Sequence, residues 1–112
     1  YSVKTKNGLV AVSYSKIEYF ENFSRVLNIW LTDGELIKSI FIRKSFNEEI
    51  KEIAEDKSFI QVHKSFLINM RYVKKLTQKT VLMESGKSIP VSKNRAADVK
   101  KEYLLFVTDY YS

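Results

Sequence analysis

Short runs of apolar and β-branched residues, separated by turn signals, occupy residues 2–42. Asn7-Gly8 favours a two-residue hairpin turn because both positions tolerate positive φ, and Asp33-Gly34 marks a second turn of this kind. A polar break at Ser24-Arg25 separates two of the apolar runs. Successive strands joined by such turns predict an antiparallel sheet with one buried face. The predicted strands are residues 2–6, 9–13, 17–23, 26–32 and 35–42.

A short helix is predicted to begin after Ser45. The Ser45 hydroxyl can cap the free amides, and Glu48 three residues later completes a capping box. Phe46, Ile50 and Ile53 are spaced so that they form one apolar stripe. The remainder of this segment is rich in glutamate, which phosphate would repel, so we do not expect this helix to contact nucleic acid.

Further strands follow and lead to a final helix. The helix is predicted to begin near Ser92 and to run to about Val107. Its inner face is predicted to carry Ala96, Val99, Tyr103 and Phe106, with Leu104 beside them. The fold class is therefore mainly β, a single domain with peripheral helices. The predicted strands are residues 59–62, 66–68, 72–76, 80–83 and 88–91.

The composition is that of one globular domain with an uneven distribution of charge. The chain has 112 residues, is 45% hydrophobic and has no cysteine, which excludes a disulfide scaffold and a thiolate zinc site. The net charge is +6, but residues 57–101 carry +9 and the remainder −3. We expect the basic half to form a face that binds a polyanion, a solvated lysine-rich surface being the alternative. Because the chain begins at Tyr1 and has no signal peptide or apolar span, we expect an excised cytoplasmic domain with no membrane contact.

Catalytic chemistry has little support in the sequence. His63 is the only histidine, so neither a histidine metal triad nor a Cys/His dyad can form. Three glycines cannot supply a phosphate-binding glycine-rich loop. We expect no enzyme activity, no metal and no cofactor.

Two polar segments between apolar runs are candidates for binding phosphate. His63, Lys64 and Ser65 interrupt two apolar runs and combine a cation with hydrogen-bonding side chains, although a lone histidine is often structural. The segment 92–95 lies at a predicted helix start, where exposed amides favour phosphate. Ser92 can instead be only the N-cap of that helix.

Several motifs of the chain resemble the LytTR family. The run 59–69, FIQVHKSFLIN, resembles its characteristic His-Arg-Ser motif, and residues 82–93 resemble its Gly hairpin leading to Ile-Pro-Val-Ser-Arg. The strand at 17–21, the turn Asp33-Gly34 and the helix in 43–53 match earlier family features in the same order. The resemblance implies an elongated, β-rich fold that binds duplex DNA through loops in successive major grooves.

The resemblance also assigns contact residues to three loops. Carried over residue by residue, these are Asn22, Phe23, Ser24 and Arg25; His63, Lys64 and Ser65; and Ser92, Lys93, Asn94 and Arg95. Packing is an alternative for Phe23, and we interpret Asn69 as structural. Lys64 and Lys93 stand where the family usually has arginine, and Gln61 where arginine is frequent. Lysine keeps the charge but loses the planar fork, so phosphate binding tolerates these changes better than base recognition does.

The resemblance to the LytTR family implies the output domain of a two-component response regulator. We expect phosphate contacts from the basic half to set the register, and Arg25 and Lys93 to probe base edges. The partners that the resemblance implies are promoter repeats in double-stranded DNA, an upstream receiver domain in the same chain and a second copy joined on DNA. Two alternatives stay open, an RNA- or single-strand-binding β-domain and a module for an acidic protein partner.

Overall fold

Within residues 1–111, ten strands and two α-helices form in the order that the hydrophobic pattern predicts. The structure, a computed structural model, describes the backbone of residues 1–111 and the side chains of residues 1–109. The strands are β1 (Ser2–Thr5), β2 (Gly8–Ala11), β3 (Ile17–Phe23), β4 (Val26–Leu31), β5 (Leu36–Lys38), β6 (Phe59–His63), β7 (Phe66–Asn69), β8 (Val73–Leu76), β9 (Thr80–Met83) and β10 (Ser88–Pro90). The helices are α1 (Phe46–Glu49) and α2 (Ala96–Tyr111).

A five-stranded antiparallel sheet in the order β5-β4-β3-β7-β6 separates two hydrophobic cores. Phe20 of β3 belongs to one core and Tyr19, on the opposite face, to the other. The prediction of a single buried face is therefore wrong for this sheet. Residues 17–20 are all buried, because additional elements cover both of its faces.

The β1–β2 hairpin and α1 contribute to the first core. Ser45 accepts a hydrogen bond from the Glu48 amide at 3.2 Å, which confirms the predicted cap. The Glu48 carboxylate accepts from the Ser45 hydroxyl at 3.1 Å, where a capping box has the Ser45 backbone amide as the donor. Phe46, Ile50 and Ile53 are all buried in this core. The α-helix ends at Glu49, and Ile53 lies in a following 3-10 turn, but the predicted apolar stripe is confirmed.

A three-stranded sheet, β10-β9-β8, and helix α2 contribute to the second core. Val99 is buried there, with Ala96 and Tyr103 packed against it. Leu104, predicted to lie beside this face, is 56% exposed. The helix is longer than predicted, since it reaches Tyr111, and a 3-10 turn over Lys93–Arg95 precedes it.

Two local predictions are wrong. Thr5 pairs with Gly8, so the first hairpin turns at Lys6-Asn7, and of the predicted pair only Gly8 has positive φ, 123°. The predicted strand over residues 35–42 pairs with β4 only across Leu36–Lys38. The regular ladder ends at Ser39: its amide still donates to the Leu27 carbonyl at 2.9 Å, but the Leu27 amide donates to the Ser39 hydroxyl at 2.8 Å, a side-chain acceptor that competes with the backbone carbonyl.

The fold class is confirmed as mainly β, antiparallel and elongated, with peripheral helices. The principal-axis extents are 40, 27 and 25 Å. Neither described helix is long and apolar enough to cross a membrane. The sheet order matters for function because it brings the predicted contact loops to one end of the molecule.

Candidate nucleic-acid interface

The three predicted contact loops lie side by side at one end of the five-stranded sheet. The Asn22 amide donates to the Ser65 carbonyl at 2.8 Å, which joins the β3–β4 hairpin to the β6–β7 hairpin. The Ser92 amide donates to the Val62 carbonyl at 2.9 Å, which places the turn before α2 next to β6. The two hairpin turns are separated by two strand spacings, about 10 Å. Pairing in the sheet therefore assembles a row of turns from distant parts of the chain.

The β3–β4 turn protrudes beyond the β6–β7 turn. Phe23 pairs with Val26, and the central residues Ser24 and Arg25 have φ of 51° and 61°, as in a type I′ turn. The tip lies two residues beyond Asn22, about 7 Å past the level of the β6–β7 turn. Phe23 is 65% exposed, so the alternative that it packs in the core is wrong.

Arg25 is exposed but already holds a neighbouring segment. Its Nε–H donates to the Ile42 carbonyl at 3.0 Å, and Nη2 donates to the Arg43 carbonyl at 2.6 Å. Its guanidinium carbon lies 5.4 Å from the centroid of the Phe41 ring, within cation–π range. Of the five N–H donors of an arginine, three remain for a ligand.

In the β6–β7 turn, Lys64 lies between residues whose positions are set by strand pairing and by a hydrogen bond. His63 pairs with Phe66, which leaves Lys64 and Ser65 as the two central residues. The Ser65 amide donates to Nδ1 of His63 at 3.1 Å, and this bond assigns the proton of the neutral imidazole to Nε2. Lys64 is exposed, whereas His63 and Ser65 are half-buried. The turn can thus offer one cation and one ring N–H to a phosphate.

The turn before α2 is tied to β6 through a single carbonyl. Both the amide and the hydroxyl of Ser92 donate to the Val62 carbonyl, the hydroxyl at 3.2 Å. The Ser92 side chain makes no capping bond, so the N-cap alternative is wrong for its hydroxyl. Arg95 donates from Nη1 to the Ser92 hydroxyl at 3.2 Å and is half-buried. Lys93 and Asn94 are exposed.

Positive charge at this end does not follow the division of charge along the sequence. Lys64, Lys93 and Arg95 come from the basic half, but Arg25, Arg43 and Lys44 come from the net acidic remainder. Arg43 and Lys44 were missed because they lie between a predicted strand and a predicted acidic helix. The signal that could have located them is their position directly before the Ser45 cap.

Two buried polar residues are structural. Asn69, which we predicted to be structural, is fully buried, donates to the Ile17 carbonyl at 2.9 Å and accepts from the Arg71 amide at 3.1 Å. Glu18 was not singled out from the sequence; it is 2% exposed and accepts from the Ser85 hydroxyl. Burial raises the pKa of Glu18 above its usual value, and hydrogen bonds from Ser85 oppose this effect.

A cleft of about 770 Å³ lies elsewhere, between α2 and residues 54–61. Its lining includes the carboxylates of Glu55, Asp56 and Glu102. Carboxylates repel phosphate, so this cleft does not suit a nucleic acid.

Fold and site together define a class: a mainly β domain whose loops gather positive charge at one end. The family model of the LytTr DNA-binding domain matches residues 7–103, and the chain belongs to this family. A Bacillus subtilis protein, "Sensory transduction protein LytT", is 35% identical over 57 residues, which cover 46% of this chain and 24% of that protein. A solved Bacillus cereus structure described as a LytTr DNA-binding domain has a TM-score of 0.71 at 24% identity and covers 91% of this chain and 94% of its own, which supports the fold.

Proposed function

We propose that this DNA-binding domain recognises a specific duplex sequence as the output domain of a transcription regulator, without catalysis. The observation that carries the proposal is the row of three turns, joined through Asn22–Ser65 and Ser92–Val62, with exposed cations along it. Rigid turns in fixed register suit the reading of a rigid duplex, because little conformational entropy is lost on binding.

The contacts divide by chemistry. Lys64, Ser65 and the Nε2–H of His63 would bind phosphate oxygens and set the register. Lys93 and Asn94 are the exposed residues of the turn before α2, and we propose that they reach base edges in a major groove, with Ser92 and Arg95 holding that turn and Arg95 adding charge. Lysine can contact guanine acceptors, although it lacks the planar fork of arginine.

The protruding β3–β4 tip supplies the third contact. We propose that Ser24 and Arg25 approach the duplex there, with Asn22 and Phe23 supporting the tip from β3. Arg25 retains three N–H donors beyond the two that bind carbonyls. Its reach is limited by those bonds, so contact with the nearest base or phosphate is favoured over deep insertion.

The partners of the whole protein belong to the same proposal. The chain matches only 24% of the length of its curated relative, so we infer that it is the output part of a longer regulator with an upstream receiver domain. Two copies would occupy repeated promoter sites and contact each other on DNA. An elongated domain with its contacts at one end leaves its remaining surface available for such neighbours.

Selection of bound duplexes from a randomised library, at roughly 0.15 M salt, tests the proposal. We expect a short enriched motif, and two copies about one helical turn apart if the domain binds in pairs. Binding that only fades with rising salt, without enrichment, would contradict sequence recognition and favour a generic or acidic-partner module.

A single-strand-binding function is the second candidate, because the Phe23 and Phe41 rings are 65% and 61% exposed at the same end and could stack on bases. A single-stranded competitor of the selected sequence separates the two candidates. Duplex binding predicts that it displaces the labelled duplex poorly; displacement at equal concentration would favour the single-strand function.

A further inference from the structure

The two central residues of the β3–β4 turn, Ser24 and Arg25, extend past the β6–β7 turn and are contacted by the segment that follows β5. On the β7 side, the Asn22 amide donates to the Ser65 carbonyl of the β6–β7 turn, two residues before Ser24. On the other side the chain after β5 continues along the tip, and the Ile42 amide donates to the Arg25 carbonyl at 2.8 Å. The segment Phe41–Lys44 therefore lies beside the tip.

Arg25 fixes this segment at both backbone and side chain. The Arg25 carbonyl accepts from Ile42, its Nε–H returns a bond to the Ile42 carbonyl, and Nη2 binds the Arg43 carbonyl. Ile42 itself is 9% exposed and belongs to the first core. The segment is thus held by the burial of Ile42 in the first core and by the two hydrogen bonds from the Arg25 guanidinium.

This arrangement gathers positive charge that its internal bonds do not neutralise. The Arg25 guanidinium donates to carbonyl oxygens, which do not neutralise it, so its charge adds to those of Arg43 and Lys44. Lys44 also borders a groove lined by glutamates of the α1 region, so Arg25 and Arg43 lie further from negative charge than Lys44 does. Arg43 and Lys44 are exposed. Like charges brought together at one surface are unfavourable unless a polyanion lies against them.

We propose that Arg43 and Lys44 form a fourth DNA-binding segment that contacts backbone phosphates beside the Ser24-Arg25 tip, and that Arg25 is its positioning residue. This inference rests on the proposed duplex-binding function and adds to it a phosphate site that the three-loop interface does not contain. Phe41 shields one face of the guanidinium and so strengthens its bonds to the two carbonyls.

The charge test compares two double variants, Arg43→Ala with Lys44→Ala, and Lys16→Ala with Lys57→Ala. Lys16 and Lys57 are exposed and lie near the starts of β3 and β6, at the opposite end of the sheet. Affinity for a scrambled duplex is measured against salt, since phosphate contacts do not depend on sequence. From roughly 50 to 200 mM salt, the wild type should lose about tenfold more affinity than the Arg43/Lys44 variant, corresponding to two phosphate contacts.

The outcomes separate the two proposals. A wild type that binds no duplex refutes duplex binding itself. A wild type that binds, with an Arg43/Lys44 variant of unchanged affinity and salt dependence, overturns the fourth segment alone. An equal loss in the Lys16/Lys57 control also overturns it, because the effect would then reflect total charge.

Arg25→Lys tests the positioning role. Lysine keeps the charge but cannot bind both carbonyls as a fork. We expect Arg25→Lys to weaken binding less in the Arg43/Lys44 variant than in the wild type, because the part of its effect that acts through that segment is lost, while the direct contact of Arg25 with the duplex is affected equally in both backgrounds. Equal effects in both backgrounds would refute the positioning role. Thermal unfolding of each variant checks that it is folded at the assay temperature.

Discussion

Lys64 and Lys93 carry the same charge but occupy different places in the row of turns. Lys64 is at the centre of a tight hairpin turn, whereas Lys93 begins the 3-10 turn that leads into α2. We expect Lys64→Ala to weaken binding to selected and scrambled duplexes alike and to lower the salt slope by about one. Lys93→Ala should cost roughly 1–3 kcal/mol on the selected duplex and relax preference at one base. Anisotropy titrations measure both; equal losses on every duplex for Lys93→Ala would contradict base reading.

Glu18 gives the domain a predictable dependence on pH. Its raised pKa results first from burial. A carboxyl whose pKa is higher in the folded than in the unfolded chain stabilises the fold fully below the unfolded pKa, and this contribution is lost as the pH rises through the folded pKa. Between about pH 4 and pH 7 the free energy of unfolding of Glu18→Gln should therefore rise relative to that of the wild type. Urea denaturation at several pH values measures this difference, and a constant difference would contradict the prediction.

For single residues, the sequence predicted roles that depend on near neighbours and not roles that depend on contacts with distant parts of the chain. Asn69 could be assigned correctly because an asparagine at the end of an apolar run commonly binds backbone. Arg25 was expected to lie in a turn or to probe bases. Its bonds to the Ile42 and Arg43 carbonyls were not predicted, because they join residues 17 and 18 positions apart. Burial of Glu18 depends on Ser85, 67 positions away, and no local pattern encodes that contact.

Among the elements, the β3–β4 turn is the most constrained. Both of its central residues have positive φ, and neither is glycine. A β-branched side chain is strained in this conformation, so Ser24→Val should lower the free energy of unfolding by about 1–2 kcal/mol. Ser24→Gly should stay within about 1 kcal/mol of the wild type, because relief of strain offsets the entropy of glycine. Urea denaturation distinguishes these outcomes; an equally stable Ser24→Val would mean that the turn has another geometry.

Strand positions followed from the sequence wherever apolar runs were bounded by turn residues. The predicted bounds of β3 and β9 agree with the structure. The strand over residues 35–42 was overestimated because its hydrophobicity reflects two different environments: Ile42 is buried, while Phe41 is 61% exposed. Hydrophobicity alone does not distinguish a residue in the core from one displayed at a binding surface.

For the whole molecule, the ionic-strength dependence of DNA binding should report charge at one end and not the net charge. Arg25, Arg43, Lys44, Lys64, Lys93 and Arg95 lie on the three turns and the adjoining segment. If the five cations other than Lys93, which is assigned to base edges, contact phosphates, the logarithm of the binding constant should fall against the logarithm of salt with a slope of about −4.5. Titrations with a scrambled duplex measure this slope. A slope of about −2 or shallower would contradict the prediction, because it would mean that most of these cations do not contact phosphates.

The division of the sequence into basic and acidic parts was therefore only a partial guide. It indicated a polyanion-binding domain, but sheet pairing decides which cations meet, and half of the six came from the net acidic part. Motif order and spacing were sufficient to predict the family. The two-sided core was not predictable, because strand periodicity does not reveal what covers the second face of a sheet.

The shortness of the hairpin turns limits how the binding preference of this domain can change during evolution. Phe23–Val26 and His63–Phe66 each close across two residues. Inserting one residue into a flanking strand would move its core side chains to the opposite face of the sheet. Lengthening a turn would change the turn type that fixes the register of its strands, so exchange of the side chains at the tips is the simplest route to a new target sequence.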